Sequence, residues 1–143
     1  MNKIPLILLL VIVTTLGSCE KSNPEQQAKS LILKQSLEIS PGECISDDNQ
    51  LEICFDSVSS DSRCAIDVQC VWEGNAAVEV TFSINGENHQ LTLNTNGQSR
   101  FPADTTINQY HITLSGLAPE PVSTVKINQE DYVATLVIDE LED

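Results

Sequence analysis

The chain has 143 residues, with 21 Asp and Glu against 7 Lys and Arg, a formal charge of −14 at pH 7 and only 4% aromatic residues. That length is one domain's worth. A surface of that sign repels phosphate backbones and anionic lipid headgroups, which excludes nucleic-acid binding and membrane attachment through a basic patch, whereas cationic partners and divalent ions are attracted.

The N-terminus has the layout of an export signal. Met1-Asn2-Lys3 is a short positive start, Ile4–Val13 is an apolar run broken by Pro5, and Leu16-Gly17-Ser18-Cys19 follows. The run is shorter than the roughly 20 apolar residues a spanning helix needs, and small residues precede the cut. LGSC resembles the bacterial lipobox. The resemblance implies that residues 1–18 are a lipoprotein signal peptide and that Cys19 carries a thioether-linked lipid, with its amine open to palmitate or a similar acyl chain. At roughly 0.8 kcal/mol per buried methylene, two or three chains make a stable anchor. An ordinary signal peptide with a chance cysteine is the alternative. All 21 acidic residues lie after position 18, and of the basic ones only Lys3 precedes it, so the mature chain is more acidic still. Residues 19–29 read as lipid anchor and flexible tether, too polar to fold alone. Glu20, where Asp would favour inner-membrane retention, leans by the same resemblance towards the outer membrane, facing the periplasm or the cell surface.

Residues 30–143 read as one β-domain. Leu31-Ile32-Leu33 with Leu37 and Ile39 predicts a first strand, its early part alternatively a helical turn, broken by Pro41-Gly42, and Glu43–Ser46 a short second one. Asp47-Asp48-Asn49-Gln50 is turn chemistry. Leu51, Ile53 and Phe55 then alternate with polar residues, as a half-buried strand does. Val78, Val80, Phe82 and Ile84 alternate likewise up to Asn85-Gly86, a hairpin signal because a type I′ turn needs positive φ at both central residues. Closing there pairs Ile84 with Glu87, Phe82 with His89, Val80 with Leu91 and Val78 with Leu93. Residues 94–103 read as a loop. Tyr110, Ile112 and Leu114 predict another strand, Val125 and Ile127 a short one, and Tyr132, Ala134, Leu136 and Ile138 the last. About seven short strands predict an all-β fold: a disulfide-braced antiparallel β-sandwich, Ig-like or Greek-key.

Apart from Cys19, four cysteines remain: Cys44, Cys54, Cys64 and Cys70. An even count in an exported domain reads as disulfides, with three connectivities open. Cys44 and Cys54 flank the DDNQ turn almost symmetrically, and Cys64 and Cys70 would close a tight loop, which favours 44–54 with 64–70. A zinc site is the rival, but the spacings lack the close C-x2–4-C pair that such sites prefer.

The stretch DSRC-AIDVQ-CVWEGNAAVEV resembles a DSRCPxxVxCxWxG motif followed by an alternating strand, found in a family of small exported bacterial proteins and lipoproteins. LEICFDSV before it, YHITLSGLAPEP after it and the closing DYVATLVI are similar too. Ala65 and Glu73 depart from the pattern, where proline and a small residue are usual. The family has no established activity. The resemblance implies the fold and supports a Cys64–Cys70 bridge, because both cysteines belong to the motif.

The sequence offers little for catalysis. His89 and His111 stand alone on separate strands, and no G-x-S-x-G elbow accompanies them. The many carboxylates lack the aromatic cleft of a glycosidase. Trp72 reads first as core packing against the bridge, by analogy with other sandwiches, with a sugar-stacking platform as the minority reading. Asp47, Asp48 and Asp61 are hard donors suited to calcium, without an EF-hand loop to organise them. The expectation is a non-enzymatic envelope or surface module, without cofactor, presenting the loop Ala65, Ile66, Asp67, Val68 and Gln69 to a protein partner. A hydrolase or calcium-dependent module using scattered loop carboxylates is the alternative.

Overall fold

A computed structural model describes residues 30–142. The expected signal peptide 1–18, the expected lipid site Cys19 and the expected tether 19–29 lie outside the described residues. Eight strands form two antiparallel four-stranded sheets. The first sheet, in the order β2-β3-β4-β5, contains β2 (Cys44–Ser46), β3 (Leu51–Asp61), β4 (Ala76–Ile84) and β5 (Glu87–Asn94). The second, in the order β1-β8-β7-β6, contains β1 (Ser36–Ile39), β6 (Asp104–Ile107), β7 (Tyr110–Ala118) and β8 (Val133–Glu140). The all-β, disulfide-braced sandwich is the architecture the alternation predicts.

Asn85 and Gly86 have φ of 51° and 82°, and the β4–β5 register is Ile84↔Glu87, Phe82↔His89, Val80↔Leu91 and Val78↔Leu93. One residue of slip would turn every apolar side chain of this hairpin outwards, so burial fixes the pairing. The inward faces meet in a core that includes Ile53, Phe55, Val78, Val80 and Phe82 from one sheet and Ile112, Leu114, Ala134 and Leu136 from the other. Phe82 and Tyr110 join the sheets by an edge-on ring contact, with centroids 5.9 Å apart. Such pairs add about 0.5–1.5 kcal/mol beyond area burial.

The strands run between two different poles. One carries tight connections: the Asp47–Gln50 turn, Asn85-Gly86 and Asn108-Gln109. Leu31 enters there, bonded to the Ser46 carbonyl. The other pole carries the long connections β3–β4 (62–75), β5–β6 (95–103) and β7–β8 (119–132).

Three local expectations are corrected. Leu31–Leu33 is not strand: Lys34 takes φ of 64°, which breaks an extended run, and β1 starts at Ser36 while Leu31 still reaches the core. Val125 and Ile127 form no strand. Val125 closes a single bridge with Val122, and a 3-10 turn at Gln129–Asp131 follows. The eighth strand is β6, whose sequence DTTI has too little alternation to announce itself. It exists because β7 supplies a partner through Thr105↔Ile112 and Ile107↔Tyr110.

Candidate functional site

The β3–β4 connection leaves the sandwich as a loop closed at its base. The Ser62 amide and hydroxyl both donate to the Asn75 carbonyl, at 2.7 and 2.9 Å, and the Cys64 amide donates to the Glu73 carbonyl at 2.7 Å. Gly74 permits this closure. Its φ is +75°, and a Cβ there would stand 1.9 Å from the Ser62 carbonyl oxygen.

Arg63 turns inwards. Its Nε lies 3.0 and 3.2 Å from the two Asp61 oxygens and its Nη2 2.7 Å from Oδ2. The guanidinium also donates to the carbonyls of Leu117 and Pro119 on the β7–β8 side. The Tyr132 hydroxyl donates to Asp61 Oδ2 at 3.1 Å. Both side chains of the ion pair are about nine-tenths covered. Burial pushes the Asp61 carboxyl up, but its bonds to Arg63, that residue's charge and the Tyr132 hydroxyl outweigh burial and hold it below the ordinary aspartate value. Burial, then the Asp61 charge, pushes the Tyr132 phenol up. This network ties the two long connections together beneath the loop.

Above it, the Cys64–Cys70 disulfide closes the predicted five-residue segment, with Cα atoms 5.9 Å apart. The Ile66 amide donates to the Pro121 carbonyl at 3.0 Å. Asp67 accepts from the Ser123 amide at 2.9 Å and from its hydroxyl at 2.6 Å, and these bonds lower the Asp67 pKa. Within the segment Ala65 is half-buried, while Ile66, Asp67, Val68 and Gln69 are exposed. Asp67 is therefore a strut, and the exposed apolar residues of the segment are Ile66 and Val68.

Trp72 corrects the reading of a core tryptophan. It is 77% exposed and its neighbour Val71 is 91% exposed, just beyond the bridge. The core between the sheets is already filled by Phe55 and Phe82 of the first sheet, and the Cys64–Cys70 bridge lies outside that core. The tryptophan is held out by the same closure that fixes the loop. Exposed apolar residues at 66, 68, 71 and 72 thus share one braced connection, and Val125 on the facing connection is exposed as well. Sequence reasoning missed Val71 and Trp72 as surface. The available signal was that V-W-E precedes the onset of strand alternation and so has no sheet face to occupy.

The second disulfide, Cys44–Cys54, joins residues directly opposite each other in the β2–β3 ladder, with Cα atoms 4.0 Å apart. Glu52 lies near it. These three make up the one group of close metal-type donors among the described residues, but the sulfurs are bonded to each other and offer no thiolate.

The proposed calcium donors do not converge. Asp47 accepts from the Asn49 and Leu51 amides at 2.8 and 2.9 Å and so caps its own turn. Asp61 ends β3, the strand that Asp47 and Asp48 precede, and eleven residues of strand span on the order of 35 Å. His89 lies opposite Phe82, and its Nε2 is buried without a hydrogen-bond partner. His111 bridges β6 and β7, with Nδ1 3.1 Å from Thr106 Oγ1 and Nε2 3.5 Å from Asp104 Oδ2. That is a hydroxyl–imidazole–carboxylate line, but it lies along a solvent-facing sheet surface and does not line the cleft beside the braced loop. A shallow cleft of about 420 Å³ beside the braced loop is lined by Glu73, Asn96, Ser115 and Glu120 among others. The Arg63 guanidinium at its floor is already occupied by Asp61 and two carbonyls.

No family model, no curated protein and no solved structure matches this chain.

Proposed function

We propose that this protein is a lipid-anchored module of the bacterial cell envelope that binds a protein partner through its braced loop and catalyses no reaction. One observation carries the reading: Val71 and Trp72 are exposed on a connection fixed by a disulfide, a nearly buried ion pair and an obligatory glycine. An apolar surface in water costs free energy, and a soluble domain keeps it for contact. Tryptophan is among the residues that dominate binding energy at interfaces, and a loop already ordered loses little entropy on docking.

The envelope location is supported by the lipobox-like LGSC, the polar tether and two disulfides, which persist in oxidising compartments. Leu31, near the start of the described residues, lies at the pole opposite the loop, which suits a loop that faces away from the membrane.

The test is paired affinity capture from envelope extract with the full chain and its Trp72→Ala variant as baits. A defined protein retained by the first and lost by the second is the expected result. Equal retention by both baits would overturn the reading.

A further inference from the structure

The four sheet edges differ in how they are protected. β1, β2 and β6 are edge strands of four, three and four residues, too short to template much pairing. β5 has eight residues, contains neither Pro nor Lys, and pairs with β4 without a bulge. Those missing features are the usual devices that blunt an edge.

The hairpin turn shows which backbone groups are free. Ile84 and Glu87 close a two-residue type I′ turn and exchange both hydrogen bonds, so the bonded pairs of β5 recur at Glu87, His89, Leu91 and Leu93. The N–H and C=O groups of Asn88, Gln90 and Thr92 therefore point away from β4. Asn94 follows the same phase, and its outward N–H is taken by the Pro102 carbonyl at 2.9 Å. Among the described residues the open edge is thus Asn88–Thr92, stopped at one end by the β5–β6 loop.

We propose that this edge takes an extended segment of another protein, as an added antiparallel strand in which apolar residues alternate with Lys or Arg. The inward side of such a strand would continue over Leu91 and His89, which the open edge leaves half-buried. The outward side would lie beside the polar row Asn88, Gln90 and Thr92, with carboxylates around it. Glu79, opposite Thr92, accepts from the Thr92 hydroxyl at 2.7 Å, and Asp56 holds the Thr81 hydroxyl one strand further in. No Lys or Arg lies on β5, and the chain carries −14. Charge complementarity therefore selects cationic side chains on the incoming strand. A second copy brings Asn88, Gln90 and Thr92 instead, supplies no cation and adds its own negative charge. Main-chain bonds give this mode affinity and alternate side chains give it specificity.

The probe is a short synthetic peptide alternating Val and Lys, added to the full 15N-labelled chain in mild detergent and followed by amide exchange. The expected result is slowing of about tenfold or more at Asn88, Gln90 and Thr92, with Glu87, His89 and Leu91, already bonded to β4, little changed. The Gln90→Pro variant removes an outward donor while sparing the β4 ladder, so it loses the effect and keeps the Phe82 amide protected. A peptide N-methylated at alternate residues fails on the native chain, which tests the same bonds without altering the fold. A Val-Glu peptide fails as well. Slowing without the every-second-residue pattern, equal binding of the Val-Glu peptide, or the same pattern appearing with no peptide present, as a second copy would give, overturns the proposal. So does no slowing at all.

Discussion

The two disulfides hold very different kinds of chain. Cys44–Cys54 joins strands already paired through Cys44↔Cys54, Ile45↔Ile53 and Ser46↔Glu52, with Ile45 and Ile53 buried beneath. Cys64–Cys70 joins two points of an irregular loop with no ladder and no core beneath it, and its apolar residues face solvent. The first bridge reinforces a conformation that packing already specifies. The second works with Arg63 and Gly74 to maintain a conformation that packing would not choose. Braces concentrated where burial gives no reward are what the proposed contact surface requires.

The sharpest way to break this contrast is Arg63→Ala. Removing one partner of a nearly buried ion pair strands the Asp61 charge, so unfolding free energy should fall by about 3–5 kcal/mol in denaturant titration. A loss under 1 kcal/mol would show that Arg63 is not the keystone between the two connections. Gly74→Ala should cost about 3 kcal/mol, from positive φ and overpacking against Ser62 together, read from the shift of the denaturation midpoint.

Replacing each cysteine pair by serine should cost about 2–3 kcal/mol by loop closure in both cases. The local consequences should differ. Without Cys64–Cys70, the Ile66 and Val68 amides should exchange freely. Without Cys44–Cys54, the β2–β3 ladder should keep its protection. Equal loosening at both sites would erase the distinction.

Acid provides a graded version of the same test. The Asp61 pKa is depressed in the folded state, so its contribution is complete above the ordinary aspartate value and is lost as pH falls through the depressed one. Denaturant titrations across that range should show a loss of stability in the native chain that Asp61→Asn no longer shows. The smallest effect belongs to Trp72→Ala, which should change stability by less than about 0.5 kcal/mol because the ring touches no core.

Much of the fold was legible in the sequence because its signals are local. Asn85-Gly86 and the alternation on either side determine the register down to Phe82↔His89, and the flanking of the DDNQ turn places Cys44 against Cys54. What was not legible depends on partners distant in sequence. β6 is a strand only because β7 is there to pair with it. The inward turn of Arg63 depends on carbonyls at Leu117 and Pro119, which nothing near Arg63 announces. Trp72 was misread for a related reason. Hydrophobicity predicts burial only where there is room in the core, and Phe55 and Phe82 already fill this one. The loop 65–69 was located by its cysteines alone, while its apolar extension to Val71 and Trp72 emerges only when exposure is known.

Trp72 is the sole tryptophan, so its fluorescence reports on the loop and nothing else. The most direct measurement is acrylamide quenching of that emission in the native and the denatured full chain. A loop that holds the ring in water predicts red-shifted native emission, quenched nearly as efficiently before unfolding as after it. Blue-shifted, protected emission in the native chain, moving to the red on unfolding, would place Trp72 in a packed environment and contradict the account.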